Sequence, residues 1–479
     1  MKIARRSGDN LIVIDRMREM VQLAAGLDES NQLSELAAER AIDCLERFGQ
    51  RLQGMRSEDI RAVGTNTLRK ARNAQAFLTR AEAALAHPIE IIAGREEARL
   101  IYLGVSHHAA QSDEQRLVVD IGGGSTEFIV GRGYTPLLTE SLYMGCIGIS
   151  RDHFSHGKLT PGRMRRAALA VSQELEPIQG SYRRMGWDVA LGCSGTVLAV
   201  ERILGEVLGR SAGITRDGLE QLIELTLSKG HVSRLDFGLR PARARVLPGG
   251  LAILRAIMDA FAIDTLQSTH AALREGLLYD LVGRLGQADV RESTIAELSR
   301  RHRVDTNHAS RIERTALYVR AQTASAWGLR DEVAGNMLSW AARLHEIGLA
   351  IAHNQYHKHG AYLLQHGDLP GFSREEQTLL AVLVRSHRRK VPIRELQSLR
   401  GTAYTHALYL VIILRLAVTL HRSRIDDPLP QFDVETNDRR IKLVFPAGWL
   451  EQRPLTQADL SQEAELIGPS GIELTCESR

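Results

Sequence analysis

Cysteine is scarce: four residues in 479 (Cys44, Cys146, Cys193 and Cys476), scattered and without metal-ligand spacing. That pattern argues against a disulfide framework and fits free thiols in a reducing cytoplasm. Long apolar runs are also missing. Stretches such as TLLAVLV (378–384) fall far short of the about 20 residues that a membrane-spanning helix needs. Charge of one sign is lacking too, with 61 basic against 57 acidic residues and a net charge of +4. So mild an excess permits an acidic partner without demanding one. A strand-like alternation begins at once at the N-terminus, so no signal peptide is expected. What remains is the mixture of an ordinary soluble globular protein, long enough for about three domains.

The pattern along the chain predicts an α/β protein. Leu11 to Leu23 alternates like a strand, a helix follows over Ser34–Leu52, and IRAVG (60–64) and IEIIAG (89–94) read as strands. A helix is expected from about Thr67 and another from Glu96–Glu97. After a polar connection over 106–116, LVVDIGGGSTEFIVG (117–131) restarts the strand–helix alternation, which runs to the helical segment ALREGLLYDLVGRL (272–285). The two halves look like similar units. From about 289 to 426 helical periodicity dominates, and RIKLVFP (440–446) and GIELTCES (471–478) read as strands of a small α/β cap. The expected domains are therefore 1–113, 114–286, 287–427 and 428–479.

The glycine stretch carries the chemistry. Asp120 ends an apolar strand, so its carboxylate emerges at a sheet edge where ligands collect. Gly122, Gly123 and Gly124 can take conformations closed to other residues and admit a ligand close to the backbone. Ser125 and Thr126 add hydroxyls, and Glu127 is a second carboxylate suited to a hard cation. A plain hairpin with a glycine bulge has the same outline, but the flanking acids favour a phosphate loop. LGCSGTVLAV (191–200) sets Gly192, Ser194, Gly195 and Thr196 between a strand and a helix start, where either an anion or a simple Ser cap fits. Glu96 and Glu97 lie in a first helical turn, where carboxylates are common for structural reasons alone. Arg69 follows a strand just inside a helix, placed either to fork onto phosphate oxygens or to pair with an acid. The arginine clusters PGRMRRA (161–167), PARARV (241–246) and SHRRK (386–390) read singly as solvated faces.

Taken together, GTNTLRKARN, IIAGREEARLIYLGV, VVDIGGGSTEFIVG, YMGCIGISRDHF, LGCSGTVLAV, PGGLAILRAI, ALREGLLYDL and LHEIGLAIAHNQYHKHGAYLLQHGDLPGF resemble the exopolyphosphatase and guanosine pentaphosphate phosphohydrolase family, within the actin-like, sugar-kinase-like ATPase superfamily. The resemblance covers nearly the whole chain. It implies two actin-like (ribonuclease H-like) lobes, then an all-α HD-like domain and a small C-terminal α/β domain. By this resemblance Glu97 matches the general base that activates water, and Arg69 the arginine that binds substrate phosphates. Asp120 and Glu127 match the carboxylates around a Mg2+ centre, with a monovalent cation such as K+ as companion. Gly122 to Thr126 match a phosphate loop, and Gly192, Ser194, Gly195 and Thr196 the second-lobe turn.

Three places depart from the family's pattern. Family members begin with a strand and a loop of the type Asp-Leu-Gly-Ser-Asn-Ser, whereas this sequence begins at MKIARRSGDN, just after it. With every later motif intact, a start codon further upstream is expected; a chain without that loop is expected to turn over weakly or not at all. Ala271 stands where glycine is usual. The HD-like signature pair reads His345-Glu346, so His302, His359 and His387 are expected to be structural or polyanion-facing rather than metal ligands.

The leading expectation is processive hydrolysis of inorganic polyphosphate, on the strength of GGGSTE and VRSHRRK, with the basic clusters lining the polymer's path. The alternatives are hydrolysis of guanosine pentaphosphate to the tetraphosphate, and a catalytically impaired polyphosphate-binding homologue. A sugar or acetate kinase is disfavoured by Glu97 and by the lack of a sugar-binding segment. No specific nucleic acid is expected as partner. A homodimer is, in the cytoplasm or peripherally at the inner face of the cell membrane.

Overall fold

Alternate residues of the apolar run 117–121 face opposite ways, as the two-residue period of a strand requires, and this one fact builds the site. A computed structural model describes the chain except for residues 8, 9, 20, 29, 110–112, 210–212, 287, 288, 398, 400 and 401. It divides into two compact units, Met1–Asp289 and Val290–Arg479.

The first unit opens with β1 (Lys2–Ser7) and β2 (Asn10–Arg16), an antiparallel pair. The strand expected to reach Leu23 stops at Arg16, and the chain then turns through Gln22 at φ 53 into a 3-10 turn at Leu23–Gly26. Helix α1 (Glu35–Leu52) follows, then β3 (Ala62–Gly64), α2 (Asn66–Lys70), α3 (Ala74–Leu85), β4 (Ile89–Ile91) and α4 (Gly94–His108). β3 and β4 pair in parallel. The single helix expected from Thr67 is broken into α2 and α3. Tertiary hydrogen bonds override helix continuity there: Arg72 N donates to Asn31 O at 2.9 Å, and the Asn73 amide exchanges two bonds with the Leu33 backbone. The acids Glu96 and Glu97 in the first turn of α4, and His107 and His108 in its last, suit the helix dipole.

A six-stranded sheet occupies the rest of this unit, in the order β7-β6-β5-β8-β10-β9. Its strands are β5 (Gln115–Ile121), β6 (Thr126–Arg132), β7 (Thr135–Leu142), β8 (Val189–Gly192), β9 (Ile214–Thr215) and β10 (Thr265–Ser268). The connection expected over 106–116 is shorter, because α4 runs on to His108 and β5 begins at Gln115. β5 pairs antiparallel with β6 and parallel with β8. Between the strands lie α5 (Cys146–His153), α6 (Pro161–Met185), α7 (Gly195–Leu208), α8 (Arg216–Ser228) and α9 (Pro241–Phe261), with α10 (Leu273–Arg284) closing the unit.

Leu117, Val119 and Ile121 point into the large core that also holds Val171, Leu254 and Phe261 of α6 and α9. Val118 and Ile129 point the other way, into a smaller cluster with Ala98, Ile101, Tyr102 and Val105 of α4 and with Ala271. Those α4 positions recur at helical spacing and lay one stripe against the sheet. Asp120 shares its face with Val118 and Glu127 with Ile129, so both acids lie on the side of the sheet that α4 covers.

The second unit holds α11 (Val290–Arg301), α12 (Thr306–Trp327), α13 (Glu332–Leu344), α14 (Tyr356–His366), α15 (Arg374–Ser386), α16 (Ile393–Gln397) and α17 (Thr402–Leu420). β11 (Asp433–Asn437), β12 (Arg440–Phe445) and β13 (Glu473–Ser478) form a small sheet, with α18 (Pro454–Ile467) before its last strand. Ile441, Leu443, Phe445 and Leu474 of this sheet share one core with Trp327, Trp340 and Leu414 of the helices. Among the described residues no helix is long and apolar enough to cross a membrane.

Candidate active site

Asp120 and Glu127 stand directly opposite each other in the β5–β6 ladder, on either side of the Gly122–Ser125 turn. The turn is closed by Gly122 N donating to Ser125 O at 2.9 Å. The stretch is thus a hairpin and a candidate loop at once. None of its three glycines lies in the left-handed region, so conformational freedom is not what requires them. Space is. A Cβ on Gly122 would sit 3.0 Å from Ser125 O, one on Gly123 would sit 2.9 Å from Ile147 Cδ1, and one on Gly124 would strike the Asn66 amide. On the other flank Gly145 packs directly on the Gly123–Gly124 backbone, and Cys146 N and Ile147 N donate to Gly122 O and Gly123 O at 3.0 Å. Clamped between α2 and α5, the turn keeps its shape. Among the described residues neither Gly123 N nor Gly124 N donates to a carbonyl, which leaves two amides for an anion.

Glu97 reaches this face from α4, one turn before Ile101. Its Oε2 accepts from Arg69 Nη1 at 2.9 Å, and Arg69 Nη1 also donates to Ile92 O at 2.9 Å. Arg69 Nη2 is buried and has no partner. An unsatisfied guanidinium N–H in such a place is costly unless a ligand oxygen meets it. Gly94 permits the approach: a Cβ there would collide with Ser141 at 2.6 Å and lie 3.6 Å from Arg69 Nη2. Ser141 Oγ in turn donates to Glu127 Oε1 at 2.9 Å. Lys70 stands 4.8 Å over the Tyr143 ring, and burial first, then Arg151 and Arg69, lowers its pKa. Sequence reasoning missed Asn66, whose Oδ1 is also buried and unpaired, and Gly145.

The neighbouring Glu96 does different work. It pairs with Arg99 through two bonds of 2.8 Å, and Arg99 joins Asp280, which also holds Arg61 and Arg284. Against the opposing effect of burial, Arg99 and then Arg61 and Arg284 hold Asp280 at about 2. This network ties α4 to α10, while Glu97, one residue on, pairs with Arg69.

Three carboxylates close together out of bulk water repel one another. Burial first, and then Glu97, pushes Asp120 up to about 8, although the Cys193 thiol donates to it and Arg274 lies nearby. Burial, then Glu97 and Asp120, raises Glu127 well above the usual range. Burial raises Glu97 too, with Arg69 and the Thr65 hydroxyl opposing. An all-oxygen donor set short of positive charge suits a hard divalent cation, which takes one or two carboxylates and completes its shell with water and phosphate oxygens.

The second-lobe turn is built as a cap. Ser194 Oγ accepts from Thr196 N and Val197 N at 3.1 and 3.0 Å, Gly192 backs onto Val197 and Leu266, and Thr196 packs on Gly250 of α9. What opens beside it is basic: the Arg243 guanidinium lies over Gly195, where any Cβ would strike it. A cleft of about 640 Å³ runs past α7, lined by Arg18, Arg202, Arg240, Arg243 and His270 and by one acid, Glu201, which accepts from the Ser268 hydroxyl. Among the described residues Arg18, Arg240 and Arg243 have no acidic partner.

Residues 2–285 match the model of the Ppx/GppA phosphatase family, and residues 290–464 that of Ppx/GppA phosphatase, domain III. The chain is 37% identical over 466 residues to a guanosine-5'-triphosphate,3'-diphosphate pyrophosphatase of Aeromonas hydrophila, covering 97% of this chain and 94% of that one. It is 38% identical over 481 residues to the protein of that name from Vibrio vulnificus, covering 100% and 96%. Among solved structures it is similar to an exopolyphosphatase from Cytophaga hutchinsonii (22% identity, TM-score 0.53, 59% of this chain and 94% of that one). It is also similar to the Ppx-GppA enzyme of Aquifex aeolicus (24%, TM-score 0.50, 58% and 93%). Lobes of actin-like, ribonuclease H-like type followed by a helical domain, with these matches, define a hydrolase acting on phosphoric anhydrides. The chain belongs to the Ppx/GppA phosphatase family.

The full-length relatives carry the nucleotide's name and not that of polyphosphate, which overturns the expectation of an exopolyphosphatase. The features that leaned that way have other tasks. The third glycine of GGGSTE makes room for Asn66. In VRSHRRK, His387 is buried, Arg388 stacks 4.6 Å over Tyr356, and Arg389 O accepts from Arg415 at 2.6 Å. In PGRMRRA, Arg163 bonds the backbone of His153 and Ser155, and only PARARV contributes to the cleft, through Arg243.

Proposed function

We propose that the protein hydrolyses the terminal 5'-phosphoanhydride of guanosine-5'-triphosphate,3'-diphosphate, yielding the tetraphosphate and orthophosphate. The cleft beside α7 carries this reading. A substrate with a second phosphate group needs a second cationic site, and three arginines without acidic partners border one. In this reading water attacks the terminal phosphorus, Glu97 takes its proton, and the bond to the bridging oxygen breaks, with the electron pair leaving on the penultimate phosphate. Burial lifts Glu97 towards the working pH, which strengthens it as a base. Arg69 Nη2 and the Gly123 and Gly124 amides meet the terminal phosphate oxygens. Asp120 and Glu127 would hold Mg2+, which supplies charge neutralisation at the phosphates.

Substrate choice tests the cleft. The doubly substituted R240Q/R243Q protein should show a KM for guanosine-5'-triphosphate,3'-diphosphate raised roughly ten- to a hundredfold, the size of one or two charge-assisted contacts. Its turnover of GTP, which lacks the 3'-diphosphate, should be unchanged. Phosphate release measured on both nucleotides and on long-chain polyphosphate decides it; an equal loss on all three refutes the assignment.

The acids predict a pH signature. Asp120 has its folded-state pKa raised from 3.8 to about 8, so the folded state holds the extra proton and metal-free stability falls as pH rises through that window. Mg2+ favours the ionised form and should restore the loss. Thermal melts at pH 6 and 8 should therefore show a larger rise with Mg2+ at pH 8. A Mg2+ effect independent of pH would remove this electrostatic account.

A further inference from the structure

Building on the reading that the cleft beside α7 holds the substrate's 3'-diphosphate, we infer that Glu201 reads the nucleotide's base there, accepting from the donor edge of guanine. A carboxylate without a counter-ion is the unusual feature of this cleft. Glu201 lines it together with Arg18, Arg202, Arg240 and Arg243. Among the described residues it forms an ion pair with none of them. Arg202, its neighbour in sequence, turns instead to Glu206 at 2.7 Å and to Phe237 O at 3.2 Å. The partner that Glu201 does have is neutral. Its Oε2 accepts from the hydroxyl of Ser268, the last residue of β10, 67 residues away in the chain. That bond ties the side chain to the sheet and fixes the carboxylate, while Oε1 has no partner among the described residues. An ionised carboxylate only accepts, and an oxygen that has taken one hydroxyl keeps a further lone pair. Both oxygens can therefore receive two N–H donors side by side. Guanine presents such a pair, N1–H beside the N2 amine, whereas adenine sets an acceptor, N1, beside its N6 amine.

The rest of the cleft suits the other parts of a nucleotide. Gly195, Leu198, Ala199 and Arg202 recur on α7 at three- and four-residue spacing, so one face of the helix lies along the cleft. Leu198 and Ala199 of that face, with Leu239, supply apolar surface for the flat of a purine. The Arg243 guanidinium lies over Gly195, at the start of the helix. Glu201 follows six residues later, about 9 Å further along the axis. A phosphate site and a base site are thus spaced along one helix, and the acid leaves the guanidinium of Arg243 unneutralised. At about 640 Å³ the cleft is in the range that encloses a ligand of nucleotide size.

Steady-state phosphate release by the full chain on guanosine-5'-triphosphate,3'-diphosphate and on its inosine and adenosine counterparts tests the assignment. The wild type should prefer guanosine to adenosine by roughly five- to a hundredfold in kcat/KM, the size of one bidentate base contact, with most of the difference in KM. Inosine, which keeps N1–H and lacks the amine, should fall between the two. In E201Q the side-chain amide both accepts and donates, which matches adenine better than guanine. The guanosine preference should therefore collapse to about unity or invert. Loss of a merely structural bond to Ser268 would instead slow all three nucleotides alike and leave their ratios standing. Thermal melts check folding, and should E201Q not fold, E201A serves in its place with a ratio of about unity expected. A wild type indifferent to the base, or a guanosine preference that survives in the folded Glu201 variants, overturns the proposal. Either result beside the expected rise in KM for R240Q/R243Q leaves the diphosphate site standing and removes only the base contact. A KM unmoved in R240Q/R243Q removes the cleft assignment itself.

Discussion

Replacing Glu97 with glutamine is expected to slow phosphate release by about a hundred- to ten-thousandfold, the range that a positioned general base contributes. Nucleotide binding should be kept. Glutamine has the same shape, and its carbonyl oxygen can still accept from Arg69 Nη1, so the guanidinium stays anchored between residue 97 and Ile92 O. What is lost is the proton acceptor. The loss should fall on kcat more than on KM, because the water's proton is transferred only as the transition state forms. The acid limb of the pH–rate profile that reports ionisation of Glu97 should vanish with it. Stopped-flow phosphate release, with binding followed by calorimetry, separates the two quantities. Undiminished release by E97Q would end the general-base assignment. By contrast, E96Q should leave phosphate release nearly intact and lower thermal stability, since Glu96 belongs to the Arg99–Asp280 network.

The contrast between these adjacent acids marks where the sequence stops being informative. Both lie in a first helical turn, and any carboxylate there is favourable. Their separation depends on Asp280 and Arg61, distant in sequence and brought to one side of α4 only by the fold. The apolar strand leading to Asp120 was legible, whereas the face on which Asp120 lies, away from Leu117 and Val119, comes from the packing of α4 on one side and of α6 and α9 on the other. The glycines were legible as special, for the wrong reason: they answer to the volume of Asn66, Ile147 and Gly145, and a single sequence does not say who the neighbours are. LGCSGTVLAV admitted a cap or an anion site, and the cap is what Ser194 makes. The helix expected after Thr67 is split because tertiary hydrogen bonds at Asn31, Leu33 and Asn73 decide the break. The strand expected over 11–23 stops at Arg16, ahead of the turn through Gln22.

Arg69→Ala is the second substitution expected to be severe, with kcat/KM falling by about two to three orders of magnitude, as when one preorganised donor to a developing charge is removed. Two effects combine. The terminal phosphate loses the buried Nη2 donor, and Glu97 loses the cation that opposes its desolvation. The second effect has a direction that can be read separately. Without Arg69 the Glu97 pKa rises further, so the acid limb of the pH–rate profile should move to higher pH in R69A. The double variant R69A/E97Q should be little worse than either single one, because the pair acts as a unit. Lysine is an incomplete substitute. R69K keeps a charge and can satisfy either Glu97 or the phosphate, but its single ammonium cannot hold Ile92 O, Glu97 and a ligand oxygen in the planar arrangement that the guanidinium imposes. It should therefore recover the pH profile more than the rate. Single-turnover phosphate release across pH 5.5–9 for the three variants resolves these outcomes, and full additivity of the R69A and E97Q losses would show that Arg69 and Glu97 act independently.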